Sequence, residues 1–299
     1  MIGVGAAVDP FACTHDPGEL RAAEVVQEYW LAVSRPEHVF RFDGSPFGYA
    51  LVMPETPGER LLSVPGLREA DFTCHGGPHS GVDEFANFVA DAVEQCRADH
   101  LRIPLMSPEQ ARALESALRT RLRDWRIAAA LAAVAPYAEK SNGQRSVPES
   151  LRRSLARLGR EGAVTGVEMM LRREDVLDVH RGRWGDNRDE RFFGMLTALL
   201  ARECAEVVTV RSRDGRLLAA QFDILGTATR HYYYSASDSE GMPGVGTGVM
   251  AASWDRFASS ATQTVYSFGR GSERYKYRYA NESRELFEVR GFFAPRSGR

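Results

Sequence analysis

Lysine is nearly missing from this chain. Of its 38 lysines and arginines, only Lys140 and Lys276 are lysine. A lysine kept against such a bias points to a need for a compact ammonium, which a guanidinium does not imitate. Cysteine is also scarce. Cys13, Cys74, Cys96 and Cys204 form no CxxC pair, so they read as reduced thiols of a cytoplasmic protein rather than a disulfide framework. No stretch approaches the roughly 20 apolar residues of a membrane-spanning helix, and the first residues lack the basic region of a signal peptide. A GxSxG elbow, an HExxH pair and the Gly-Lys-Ser/Thr ending of a Walker A loop are all absent, which argues against the chemistries those motifs build.

What is present fits an ordinary globular protein. The 299 residues are 43% hydrophobic and 26% charged, enough for one large domain or two of usual size. Net charge is −2 but unevenly spread: residues 1–140 sum to −7 and residues 141–299 to +5. The second half is therefore the better host for an anionic ligand. Turn formers cluster in Glu139-Lys-Ser-Asn-Gly-Gln-Arg-Ser-Val-Pro148, which places a domain boundary near 140–148.

Before that boundary, periodicity predicts helices over 20–33 and 85–96 and strands over 47–53, 59–64 and 100–105. Ser107-Pro108-Glu109-Gln110 is a helix start, with Leu114, Leu118, Leu122 and Trp125 on one face of a long helix. After it, helices are expected over 150–160, 189–203 and 248–259. Strands are expected over 206–213, 216–225, 230–237, 264–268 and 285–292, with a hairpin at Asp214-Gly215. This order fits an α+β or α/β layered fold with a mixed, largely antiparallel sheet flanked by helices. Both halves share a rough strand–helix–strand plan.

Four segments could carry chemistry. Glu240-Gly-Met-Pro-Gly-Val-Gly-Thr-Gly-Val-Met250 sets Gly244, Gly246 and Gly248 between a strand and a helix, where backbone N–H groups can approach a phosphate; a turn that binds nothing is the alternative. Residues 264–279 run from a strand through Gly269-Arg-Gly271 into Arg274-Tyr-Lys-Tyr-Arg-Tyr279. On an extended backbone Tyr275 and Tyr277 would face one way, and Lys276 and Arg278 the other. Phosphate binding and a charge-protected edge strand compete there. Asp178-Val-His-Arg-Gly-Arg-Trp184 offers His180 as a base and Arg183 as a cation just before a helix. Cys74-His-Gly-Gly-Pro-His79 with Asp83 has the ligand types of zinc but no matching spacing, so no metal site is expected.

Taken in order, these segments resemble the GNAT-fold acyltransferases of the BioF2-like or CelD-like group, which are similar to Fem-family aminoacyl-tRNA-dependent transferases. The resemblance runs from about Leu151 to Phe293. It rests on the basic helix Leu-Arg-Arg-Ser-Leu-Ala-Arg-Leu158, Val179-His-Arg-Gly-Arg-Trp184, Leu217-Leu-Ala-Ala-Gln-Phe222, Tyr232-Tyr-Tyr-Ser-Ala236, Pro243-Gly244 and, most specifically, Phe268-Gly-Arg-Gly-Ser-Glu-Arg-Tyr-Lys276. It implies two tandem GNAT-like halves: residues 1–140 degenerate, residues 149–299 the acyltransferase domain.

The activity implied is transfer of an acyl group to a small-molecule amine by direct attack. Acyl-CoA is the expected co-substrate, with no tightly bound cofactor; aminoacyl-tRNA is the alternative donor, and a non-catalytic binding module the third reading. Gly244, Gly246, Gly248, Lys276, Arg183 and Tyr275 map to donor binding, and Glu273, Asp238 and His180 are the candidate bases. The pattern departs at Gly241, where the group has Gln or Arg, and at Ser267, where it has Asp.

Overall fold

The computed structural model describes residues 17–34, 36–42, 49–53, 60–64, 82–140, 147–184, 190–238 and 242–294. In the first half these form α1 (Pro17–Ser34), β1 (His38–Phe42), β2 (Tyr49–Met53), β3 (Leu61–Ser63), α2 (Val82–Cys96), β4 (His100–Met106), α3 (Pro108–Arg121) and β5 (Trp125–Glu139). The second half begins with α4 (Glu149–Arg160), β6 (Val164–Glu168), α5 (Arg173–Trp184), α6 (Glu190–Ala201), β7 (Ala205–Arg211) and β8 (Leu217–Leu225). It ends with β9 (Thr229–Ser237), α7 (Val245–Ser259), β10 (Val265–Ser267), α8 (Arg274–Tyr279) and β11 (Glu282–Phe293).

The described strands form one sheet in the order β1-β2-β3-β4-β11-β5-β10-β9-β8-β7-β6. Pairing is antiparallel except at β3–β4 and β9–β10, and each parallel pair is bridged by one crossover helix, α2 or α7. Both halves repeat three strands, helix, strand, helix, strand. The repeat extends to single bonds. Arg60 O accepts from the N–H groups of Asp99 and His100 at 3.1 and 3.2 Å, and Ala228 O accepts from those of Thr264 and Val265 at 2.7 and 3.1 Å. The last strands are exchanged: β11 lies between β4 and β5, and β5 pairs with β10. The layered α+β architecture expected from the sequence is therefore present, as two topologically similar halves that interlock.

Burial follows periodicity. Phe85, Val89, Ala92, Val93 and Cys96 of α2 meet Leu114 and Leu118 of α3 over one face of the first-half sheet. In the second half, α1, α5 and α6 cover one sheet face through Val26, Phe192, Phe193, Leu196 and Leu199, and α4, α7 and α8 cover the other. So α1 leaves its own half and packs on the other. At α3, Ser107 Oγ accepts from the N–H of Gln110 at 3.2 Å, and the Gln110 side chain accepts from the N–H of Ser107 at 3.3 Å.

Two expectations need correction. The helix through Trp125 stops at Arg121, and Trp125 opens β5. The alanine-rich run after it has high helical propensity, yet it lies in register with β11 from Trp125↔Phe293 to Tyr137↔Glu282. Tertiary pairing overrides propensity there. Residues 274–279 are a short helix rather than an extended strand. Finally, β1, β6 and α5 carried no expectation: the segment ahead of α6 is itself helical, and His180 lies within α5, before α6. Cys74, His75 and His79 fall outside the described residues, as do residues 141–146 of the expected boundary. Among the described residues no group of three or more His, Cys, Asp or Glu side chains could hold a metal ion, and no helix is long and apolar enough to cross a membrane.

Candidate active site

The site starts where β9 and β10 part. They pair only over 229–231 and 265–267. Beyond Ser267 the chain moves to β5: Phe268 N–H donates to Pro136 O at 3.0 Å, and Gly271 N–H to Val134 O at 3.2 Å. From Tyr232 on, β9 keeps only β8 as a paired neighbour, so a wedge opens along its other edge. A bulge sharpens the turn of the strand. Phe222 faces Tyr234 and Asp223 faces Tyr232, leaving Tyr233 as the extra residue. Tyr233 and Tyr234 therefore both pack toward α5 and α6, while Tyr232 packs toward α7 and α8.

A buried polar network forms the floor of the wedge. Asp223, fully buried, accepts from Arg230 Nε at 2.8 Å, from Gln221 Nε2 at 2.7 Å and from Ser253 Oγ. Tyr266 OH lies 2.9 Å from both Gln221 Nε2 and Ser253 Oγ. Glu206 pairs with Arg230 and with Arg256, the latter through Nη2 at 2.8 Å. Loss of water pushes the Asp223 carboxyl up to about 7 and the Arg230 guanidinium down to about 10. It also holds the Tyr266 phenol well above its ordinary value.

The mouth of the wedge is the N-terminus of α7. Gly244 is its N-cap in the left-handed region, φ 84°, a conformation glycine adopts without a Cβ penalty. The first turn carries no acidic side chain. A Cβ on Gly244 would overlap the Arg157 guanidinium, whose Nη2 donates to Pro243 O at 2.6 Å. Arg157 thus brings a cation to the positive end of a helix, an arrangement that favours an anion between them. Sequence reasoning left Arg157 among the arginines on the outer faces of its helix; no local signal marks it. Gly246 sits in the first turn. Gly248 serves packing, because a Cβ there would overlap Leu158 of α4.

The Gly269–Gly271 turn is a separate cluster. Lys276 is 5% exposed. Its Nζ donates to Arg270 O at 2.7 Å and pairs with Glu273 at 3.0 Å. A Cβ on Gly271 would stand 3.0 Å from that Nζ. Lys276 therefore clasps the turn, and Glu273 is engaged with it. Tyr275 packs against Tyr232, ring centroids 6.4 Å apart. Ser267, standing where the resembled group has Asp, is not a gap: its Oγ accepts from Gly269 N–H at 3.3 Å.

The remaining candidates are spread out. His180 is 2% exposed, with Nδ1 at 2.5 Å from Tyr234 OH and its ring edge-on to Phe193. It lies on the sheet face opposite α7. Asp238 follows the end of β9, beside the mouth, and pairs with Arg216 at 3.3 Å. Arg183 lies in the last turn of α5, and its side chain is outside the described residues. The structure thus gathers Gly244, Gly246, Gly248 and Asp238 at one end of the wedge and Glu273, Tyr275 and Lys276 beside the turn.

A family model described as an acetyltransferase (GNAT) domain matches residues 145–277. Residues 145–277 thus carry a GNAT acetyltransferase domain. The chain is accordingly an acyltransferase. No curated protein matches the sequence. Several solved structures share the fold over both halves. L-PGS from Bacillus licheniformis is 12% identical over 95% of this chain and 93% of its own, with a TM-score of 0.58. The C-terminal domain of a protein described as a lysylphosphatidylglycerol synthetase from Agrobacterium fabrum is 12% identical over 91% of each chain, with a TM-score of 0.60. FemX is 11% identical over 93% of this chain and 96% of its own, with a TM-score of 0.60.

Proposed function

We propose that the protein moves an acyl group from an acyl-CoA thioester to the amine of a small molecule by direct attack, using residues 149–299. The observation that carries this reading is the parted β9–β10 pair running into the Gly244 turn. An extended arm bearing amides can lie along the free edge of β9 as an added strand. Its pyrophosphate then meets the α7 N-terminus and Arg157. The amine attacks the thioester carbonyl, main-chain N–H groups of the wedge stabilise the oxyanion, and the thiolate leaves. Asp238, which follows β9 and pairs with Arg216 at 3.3 Å, is the carboxylate we assign to take the amine proton, since Glu273 belongs to the Gly269–Gly271 turn and His180 lies across the sheet. Reduced thiols and the donor supply a cytoplasmic setting. Calorimetry with acetyl-CoA and longer acyl-CoAs should show binding that weakens when Arg157 is changed to Ala. If neither acyl-CoA nor aminoacyl-tRNA binds, the reading fails.

A second reading takes aminoacyl-tRNA as the donor, with residues 1–140 as a degenerate half that helps hold it. The likeness to FemX over both halves favours it, as does the +5 charge of residues 141–299. Salt separates the two. A tRNA contacts many phosphates, so its affinity falls steeply with salt, whereas acyl-CoA affinity falls gently.

A further inference from the structure

The two halves carry cavities at matching places, each at the C-terminus of the crossover helix. The second-half cavity, about 270 Å³, lies beside Trp254, Phe257 and Lys140. Lys140 closes it off: its Nζ donates to Phe257 O at 2.5 Å and Ser260 O at 2.9 Å and lies 4.4 Å from the Phe257 ring centroid. The first-half cavity, at the ends of α2 and α3, is about 530 Å³, within the usual range of small-molecule sites. There Arg60 takes over the capping, donating from Nη2 to Cys96 O at 2.7 Å, and leaves the space open.

The lining of the open cavity has a definite chemistry. Arg97 and Arg123 stand exposed at its rim, and their guanidinium groups make no hydrogen bond or ion pair among the described residues. Four arginines line it against three carboxylates, and one of those, Asp99, already accepts from Arg60 N–H at 3.2 Å. Trp125, half-buried, forms an aromatic wall with Phe293, which is 49% exposed, their ring centroids 6.3 Å apart. Exposed guanidiniums suit phosphate, and a part-exposed indole lining the cavity suits a flat ring. We propose that this cavity binds a nucleoside monophosphate, with its phosphate on Arg97 and Arg123 and its base against Trp125. The site belongs to the first half and is separate from the α7 mouth.

The test is calorimetry on the full chain with AMP as probe, with adenosine and inorganic phosphate in parallel. AMP should bind at least about tenfold more tightly than either fragment, since a hydrogen bond to a charged group is worth that much. The double change Arg97→Ala with Arg123→Ala should weaken AMP by a similar factor at an unchanged thermal midpoint, both side chains being exposed. Trp125→Phe, a volume-reducing change that keeps an aromatic wall, should remove AMP-dependent quenching of tryptophan fluorescence. No binding of AMP at millimolar concentration would overturn the proposal. So would AMP binding that the double change leaves intact, or that Arg157→Ala at the α7 mouth abolishes.

Discussion

Lys140 and Lys276 occupy unlike places but hold like partners. Each ammonium donates to backbone carbonyl oxygen: Lys140 to Phe257 O and Ser260 O at the end of α7, Lys276 to Arg270 O in the glycine turn. A compact donor fits where a planar fork does not. Lys276→Met should cost about 2 kcal/mol in urea unfolding, because Arg270 O loses a charged donor in a buried place. Lys276→Arg should restore little of that loss, since Lys276 is 5% exposed and a planar guanidinium is larger than the space the ammonium fills. Acyl-CoA affinity should stay unchanged in both variants; an anion contact would lose it. Gly244→Ala tests the mouth instead. A left-handed alanine costs about 1–2 kcal/mol, and its methyl displaces Arg157, so donor affinity should fall while Lys276 variants keep theirs. The value of a lysine at 276 was legible from composition. Its partner was not, because the carbonyl it holds belongs to a turn whose shape the sequence alone does not give.

Among the elements, β6 stands at an edge of the sheet and is held by charge. Arg211 donates to Glu168 from Nε at 2.7 Å and from Nη2 at 2.8 Å, and Thr209 Oγ1 donates to it at 2.9 Å. These bonds, Arg211 first, lower the Glu168 carboxyl below its ordinary 4.5. A carboxyl lowered on folding contributes stability above its unfolded value and loses it as pH falls through the folded one. Glu168→Gln should therefore unfold more easily than wild type at pH 7, by roughly 1 kcal/mol after allowing for partial exposure. The gap should close as pH drops below 4.5, which urea titrations at several pH values will read. Asp223→Ala addresses the floor of the wedge. It strips a buried partner from Arg230, a change that costs about 3–5 kcal/mol, and thermal unfolding should show it. The cap of α3 and the strands β7 to β9 were readable from spacing. The α8 helix was not: six residues with alternating rings and cations satisfy a strand pattern equally well, and packing of Tyr275 and Tyr279 on the α7 core decides between them.

At the scale of the molecule, the halves are similar but not separable. α1 covers the second-half core through Ala22, Val25 and Val26, and its Glu19 meets the buried His231 at 2.7 Å. β11 returns the exchange by filling the first-half sheet between β4 and β5. Residues 147–299 expressed alone should thus lack a native circular dichroism and thermal transition, since the sheet face under α1 loses its cover and β11 loses both neighbours. Adding residues 1–146 in trans should restore them. A second half that folds alone with a sharp transition would contradict the exchange.

The sequence by itself determined most of the elements, the layered α+β class and the family resemblance, because period, caps and turn residues act within a few positions of the chain. It also marked the glycines at the α7 mouth. Only the tertiary structure decided which strand lies beside which, that Arg157 faces Gly244, that Lys276 clasps a turn, and that Asp238 rather than His180 stands at the mouth. Those facts depend on contacts between residues far apart in the chain. Only close packing of the folded chain fixes such contacts, and one sequence carries no local mark of them.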